Sequence, residues 1–235
     1  MENAVSDGPV PRRPGRAERS DSIRNRDKIL VAARALFAAD GLNAPMDRIA
    51  AAAEVGPGTL YRHFPSRVRL WEAVLEEPLL AQLELVDQAL ARADAWAGVE
   101  EYVLATCALE AESGGYLNLM TTRFDDAPAL REIRGRIQRR IEELIDRARA
   151  EGAIRPDFTV DDLIFIALSN SRVAEATRAI APRAWRRNAE LFLDGIRPEC
   201  ARPLTEPPMT PAQVARTMMR PAAQPSAVRR GGRTE

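Results

Sequence analysis

The chain has 235 residues, enough for a small domain joined to a larger one, and contains 46% hydrophobic, 29% charged and 5% aromatic residues. These values exclude a chain that is disordered throughout, and the excess of Ala, Leu and Arg over β-branched residues predicts an all-α protein. The net charge is zero, but residues 10–70 carry 12 Lys/Arg against six Asp/Glu and residues 71–200 carry 16 against 24, so a basic N-terminal part precedes an acidic body.

Residues 1–22 are predicted to form a flexible arm, because Pro and Gly recur too often within the first 15 residues for a stable helix. The arm carries four arginines, namely Arg12, Arg13, Arg16 and Arg19. Two interpretations remain open. The arm either enters a DNA minor groove, as the basic arms of homeodomains do, or serves only as a solubilising tail.

Three short helices are predicted next. Helix 1 begins after Ser20 and Asp21, which can cap it, and ends at Gly41. Helix 2 runs from Pro45 to about Ala53, and helix 3 from Pro57 or Gly58 to about Phe64. Apolar residues repeat every three or four positions along all three helices, so each buries one face. The pair over residues 45–64 has the dimensions of a helix-turn-helix.

The remaining chain is predicted to be a helical body followed by a tail. Helix 4 starts after Pro65 and ends before Pro78, so residues 23–81 form an N-terminal domain. Further helices are predicted at about 79–95, 98–111, 115–122, 128–151, 160–178 and 183–196, within a second domain over residues 82–197. The proline-rich tail, residues 198–235, is predicted to be disordered, with a transient helix near 211–219.

Several classes of function find no support in the sequence. His63 is the single histidine, so neither a Ser-His-Asp triad elsewhere nor a histidine-based metal site is possible. Cys107 and Cys200 are far apart, which favours two free thiols in a reducing cytoplasm. No apolar run is long enough for a membrane span. We therefore expect a cytoplasmic protein that is not an enzyme and needs no cofactor or metal. A helical adaptor that binds only protein is the alternative to a DNA-binding protein.

One stretch, from Ile49 through Gly56-Pro57-Gly58-Thr59-Leu60-Tyr61-Arg62-His63-Phe64 to Arg67, resembles the signature of the tetracycline-repressor (TetR) family of transcriptional regulators. The detailed likeness covers about residues 23–81. It implies an N-terminal three-helix helix-turn-helix domain, followed by an antiparallel helical domain for ligand binding and dimerisation. It also implies a homodimer that represses transcription from a palindromic double-stranded DNA operator and is released by a small-molecule effector.

The resemblance implies roles for individual residues. Thr59, Tyr61, His63 and Arg67 are expected to hold phosphates, and Pro57, Gly58 and Arg62 to lie nearest the bases. The alternative for Tyr61 and His63 is that they only pack between helices. Glu54 stands where the family often has a glycine in a left-handed turn, so strain is expected there. Met46 and Asp47 stand where other members present DNA-contacting residues.

The resemblance also implies an effector pocket in the body and a dimer interface formed by the last two helices. Candidate pocket residues are aromatic, Met, Cys or Asn side chains: Trp96, Tyr102, Cys107, Tyr116, Asn118, Met120, Phe124, Phe165 and Asn170. The alternative for each is an ordinary place in the core, because such residues fill helical bundles anyway.

Overall fold

The computed structural model describes residues 16–113, 124 and 126–218, and all regular elements in those ranges are helices. The α-helices are α1 (Arg16–Asp40), α2 (Met46–Ala52), α3 (Pro57–His63), α4 (Arg67–Leu90), α5 (Ala95–Ser113), α6 (Pro128–Ala150), α7 (Leu163–Thr177), α8 (Ala184–Gly195) and α9 (Pro211–Met218). Two 3₁₀ helices span Val160–Asp162 and Pro198–Cys200. The predicted all-α fold class is confirmed.

The first three helices pack around a small core of their own. Ile29 and Phe37 of α1, Ile49 of α2 and Leu60 of α3 are all buried. Burial of a side chain of this size stabilises the fold by about 1.5–3 kcal/mol. The apolar spacing predicted from the sequence therefore does place one face of each short helix inward, which leaves the opposite faces of α2 and α3 in solvent.

Helix α1 begins at Arg16, so the predicted boundary after Ser20 is wrong. The types of residues 16–19 favour a helix, and the described helix includes all four of them. The predicted arm is thus helical from residue 16. The rest of it, including Arg12 and Arg13, lies outside the described residues.

The predicted break at Pro78 is also wrong, because α4 continues through this residue to Leu90. Pro78 itself is exposed, while Leu75, Leu79 and Leu83 are buried on the opposite side of the helix. A proline inside a helix costs about 3 kcal/mol. The continuous buried stripe offsets that cost, and α4 becomes a single rod that joins the N-terminal domain to the body.

Glycine 98 lies inside α5 and does not start a helix, contrary to the prediction. The helix begins at Ala95, where the Asp94 carboxylate accepts a hydrogen bond from the Trp96 backbone N–H at 2.9 Å. The predictions of helices near 128–151, 160–178 and 183–196 are confirmed within a few residues. The predicted helix at 115–122 lies outside the described residues.

The segment after Pro198 is structured as far as Met218, which corrects the prediction of a disordered tail for this part. The Arg155 guanidinium donates to the Arg202 carbonyl oxygen at 2.6 Å and so holds the segment to the body. At the start of α9, Thr210 and Gln213 exchange side-chain and backbone hydrogen bonds in a capping box. Residues 219–235 lie outside the described residues.

Candidate nucleic-acid interface and adjoining cavity

The turn between α2 and α3 is closed by backbone hydrogen bonds. The Glu54 N–H donates to the Ala51 carbonyl at 3.1 Å and the Val55 N–H to the Ala50 carbonyl at 3.0 Å. Glu54 has a φ of 54°, so the expected left-handed conformation is confirmed. This conformation costs a residue with a side chain about 1 kcal/mol or more. The turn fixes the direction of α3 relative to α2.

Helix α3 is anchored by Leu60, which is fully buried, and presents its other side to solvent. Pro57, Gly58, Tyr61 and Arg62 are exposed, and the Tyr61 side chain is 47% exposed. Within residues 16–113, 124 and 126–218, no ion pair or hydrogen bond occupies the Arg62 guanidinium. Thr59 is half-buried on the flank of the same surface. Most of the residues that the sequence analysis assigned to DNA binding therefore lie on one open face.

Open space surrounds the start of α3. A β-carbon built at Gly58 meets no atom within 4 Å, so the protein itself does not require glycine there. A glycine that is not needed for internal packing suits the close approach of another molecule to the backbone. This observation is consistent with the predicted position of Gly58 near the bases.

The resemblance implied that His63 holds a phosphate, but the structure leaves its side chain only partly open to solvent. It is half-buried, and its Nε2 atom is inaccessible and has no hydrogen-bond partner in the described part of the chain. Its pKa lies below 6.5, because burial, and then the positive charges of Arg62 and Arg26, disfavour the imidazolium. The geometry matches the alternative interpretation, in which a neutral ring packs between helices.

Arg67 is occupied by the protein itself. Its Nη1 atom donates to the carbonyl oxygens of Leu42 at 3.2 Å and Ala44 at 2.6 Å. Trp71, one turn along α4, donates from Nε1 to the same Leu42 oxygen at 3.0 Å. The start of α4 thus holds the turn between α1 and α2, and the predicted phosphate contact of Arg67 competes with these bonds.

The sequence motif did not include Arg26, which lies beside α3. Its guanidinium carbon stands 5.3 Å from the centre of the Phe64 ring, a cation–π distance, and the residue is exposed. It belongs to α1, far from the motif in sequence, and only the packing of α1 against α3 brings it there. Arg26 and Arg62 thus place two positive charges beside His63 of α3.

A cavity of about 340 Å³ lies in the body, between α4, α5, α6 and α7. Three predicted pocket residues, Tyr102, Cys107 and Asn170, line it. Two residues of α9, Pro211 and Val214, close one side. The tail that was predicted to be disordered is therefore part of the cavity wall.

The other predicted pocket residues lie elsewhere. Trp96 is buried beneath the Arg197 guanidinium, 3.5 Å from its ring centre, and Phe124 is buried with the Arg134 guanidinium 6.0 Å from its ring centre. Phe165 is 50% exposed on the outer side of α7, so its prediction as a pocket residue is wrong. A helical period alone does not tell which face of a helix turns inward. Tyr116, Asn118 and Met120 lie outside the described residues.

Polar lining residues were missed by the sequence analysis. They are Gln82, Thr106, Glu110, Arg134, Gln138 and Asp161. Gln82 carried a usable signal, since it interrupts the apolar stripe of α4 at a position that must face inward. The remaining polar residues lie on helix faces that the sequence leaves ambiguous. Within the part of the chain that the structure describes, no cluster of His, Cys, Asp or Glu is suited to a metal ion, and no helix is long and apolar enough to cross a membrane.

Two family models match the chain and together span more than half of it. Residues 29–74 match the model of bacterial regulatory proteins of the tetR family. Residues 97–198 match the C-terminal domain of SbtR-like transcriptional regulators. The first match contains α2, α3 and the start of α4, and the second contains most of the cavity wall but not α9. No curated protein matches the chain significantly.

Two solved structures show the same fold, and a third is similar in sequence. The ketosteroid transcriptional regulator KstR2 of Mycobacterium tuberculosis is 22% identical, with a TM-score of 0.58 over 73% of this chain and 94% of that chain. The fatty acid degradation regulator FadR from Bacillus halodurans is 17% identical, with a TM-score of 0.52 over 73% and 99%. A TetR transcriptional regulator from Streptomyces coelicolor is 31% identical over 74% and 98%, with a TM-score of 0.45.

Proposed function

Because the chain belongs to the tetR family of bacterial regulatory proteins, we propose that it is a homodimeric repressor, released from a palindromic DNA operator by a small molecule. The protein is a DNA-binding transcriptional regulator with a helix-turn-helix domain. The single observation that carries the proposal is the open face of α3. A helix anchored by one buried leucine offers its hydroxyl, cationic and glycine positions to solvent.

We assign base reading to the exposed part of α3. Pro57 and Gly58 let the backbone approach the duplex, and the Arg62 guanidinium, which pairs with no described residue, can bond to base edges in the major groove. Tyr61 and Thr59 offer hydroxyl groups to phosphates. Arg26 adds a cation beside α3, whereas Arg67 and His63 act by holding the helices in place.

The outer surfaces of α7 and α8 support a dimer. Phe165 and Leu168 of α7 and Leu191 of α8 are exposed, and Leu191 is 60% exposed. Large apolar residues that stay exposed on two helices packed against each other favour an interaction surface. A two-fold axis through this surface would pair each helix with its copy and set the distance between the two α3 helices.

The cavity and α4 support control by a small molecule. The start of α4 holds the Leu42–Ala44 turn through Arg67 and Trp71, and the same helix lines the cavity at Gln82. A molecule that fills the cavity and shifts α4 would therefore change the placement of α3. The free energy by which this molecule changes DNA affinity equals the difference between its binding free energies for the original and the shifted position of α4. The ligand-dependent step takes place in the cytoplasm, where the DNA is.

A titration of fluorescently labelled duplex in a series of salt concentrations tests the proposal. The affinity should fall steeply with salt, because binding to phosphates releases counterions. The same titration with Arg62→Ala should show weaker binding. Absence of binding to any duplex at low salt would contradict the proposal and favour the alternative function, a helical adaptor that binds only protein.

A further inference from the structure

We propose that the cavity selects a largely apolar molecule with one hydrogen-bond donor, and that this donor binds Oε1 of Gln82. The inference rests on the proposed function, in which a small molecule occupies the cavity, and it names the chemical class of that molecule. It concerns a single buried amide on the helix that links the cavity to the DNA-binding domain.

Gln82 has an unusual environment for a polar side chain. It is 1% exposed, and its Nε2 atom lies 3.4 Å from the Tyr102 hydroxyl, a long hydrogen bond. Its Oε1 atom accepts no hydrogen bond from any residue that the structure describes. An unsatisfied buried acceptor destabilises a fold, so natural proteins keep few of them without a reason. A bound donor would satisfy this atom.

Three other polar side chains on the cavity wall form hydrogen bonds within the protein. The Asn170 amide donates from Nδ2 to the Cys107 carbonyl at 3.3 Å, and the Thr106 hydroxyl bonds to the Tyr102 carbonyl at 2.9 Å. The Glu110 carboxylate accepts from the Ser171 hydroxyl at 2.8 Å. Among the residues described, Gln82 is therefore a cavity-lining residue with a buried acceptor that the protein leaves unused.

The aliphatic part of the wall specifies the body of the ligand. Aliphatic side chains from α5, α6, α7 and α9 line the cavity, namely Val103, Ile141, Leu163, Ile164, Ile166 and Val214. Such a surface favours hydrocarbon or aromatic groups. One donor on an apolar body is the combination that these residues recognise best.

The position of Gln82 relates this contact to regulation. Gln82 and Arg67 lie on the same helix, about 22 Å apart at 1.5 Å per residue. Arg67 holds the turn that precedes α2. A donor that binds Gln82 therefore acts on the rod whose other end positions the reading helix.

The test compares matched probes by calorimetry on the full-length protein without DNA. 2-Naphthol carries a hydroxyl donor, and 2-methoxynaphthalene has the same rings without a donor. We expect 2-naphthol to bind about tenfold more tightly, since a satisfied buried acceptor is worth about that factor. Gln82→Met should abolish the preference. Gln138→Met, the same change at an exposed rim position, should preserve it.

Thermal unfolding of the free variants supplies a second readout. The Gln82→Met substitution removes an unsatisfied acceptor. The midpoint temperature of unfolding should therefore stay unchanged or rise. A lower midpoint would show a structural hydrogen bond and overturn the proposal. Equal affinity for the two probes, no binding of either, or a preference that survives in Gln82→Met would also overturn it. Because no DNA is present, these outcomes are independent of whether the protein binds an operator.

Discussion

Gly98 of α5 lies so close to Ala89 of α4 that a β-carbon at position 98 would stand 2.5 Å from the Ala89 carbonyl oxygen. The obstacle is backbone, which cannot move aside as a flexible side chain does. The glycine therefore sets the distance between two helices that also line the cavity.

Gly98→Ala should destabilise the protein by about 1–3 kcal/mol, because the helices must separate, even though alanine is the better helix former. Urea unfolding measures the change. Gly135→Ala in α6 is the matched control, since its β-carbon meets only the end of the Arg139 side chain at 3.5 Å. The control should be neutral or stabilising by up to about 1 kcal/mol. If both variants have the same free energy of unfolding, the close contact between Gly98 and Ala89 does not affect stability.

Arg62 and Arg67 should affect DNA binding in different ways. Arg62→Ala should weaken binding by about 1–3 kcal/mol and leave stability unchanged, because Arg62 is exposed and makes no internal bond among the described residues. Arg67→Ala should instead lower stability by about 1–3 kcal/mol, because it frees the Leu42 and Ala44 carbonyls.

Salt titrations separate the two roles further. Removing a phosphate contact lowers the slope of log affinity against log salt by about one. At temperatures where it is still folded, the Arg67→Ala variant should show the same slope of log affinity against log salt as the unaltered protein. A slope reduced by about one, with stability intact, would make Arg67 the phosphate ligand that the family resemblance implied.

His63 should make stability depend on pH near neutrality. Its pKa in the folded protein is lower than the unfolded value of 6.5, chiefly because of burial, so the unfolded chain binds the proton more readily. Its contribution to stability is present above pH 6.5 and is lost as pH falls through the folded pKa. Urea unfolding between about pH 7.5 and 5.5 should show this loss, and His63→Gln should remove it. An identical pH dependence in both proteins would contradict the assignment.

Helix α9 should protect the cavity. The Cys107 thiol is buried on the cavity wall, and burial, with a smaller effect of Glu110, raises its pKa to about 12. In a Cys200→Ser background, deleting residues 203–235 removes Pro211 and Val214. The loss of two apolar contacts, on the order of 1.4 kcal/mol, should raise the rate of Cys107 alkylation about tenfold. An unchanged rate would mean that α9 does not close the cavity.

The buried faces of the first three helices were predicted because their signals are local. The spacing of Ile49, Leu60 and Phe64 predicts which faces are buried. The family resemblance places the left-handed turn at Glu54. The errors at Pro78 and Gly98 share a different cause. Both residues weaken a helix in isolation, but the packing of α4 against α5 and α6 decides their structure. Long-range packing of this kind leaves no local signal.

Local signals also predicted part of the cavity lining, whereas long-range packing determined the rest. Tyr102, Cys107 and Asn170 were predicted from residue type, and the same reasoning wrongly added Phe165, which faces solvent. Residue type favours aromatic side chains for any interior. The unsatisfied amide of Gln82 is a property of two helices in contact, so the structure was needed to find it.

In the proposed dimer, the two α3 helices read a two-fold symmetric operator. Selection of bound sequences from random duplexes by the full-length protein, followed by sequencing, tests it most directly. We expect a pseudo-palindrome whose half-sites are centred about 10 base pairs or a multiple of that apart. Arg62→Ala should relax the preference within each half-site. Recovered sequences without two-fold symmetry, or without enrichment of any sequence, would contradict the claim.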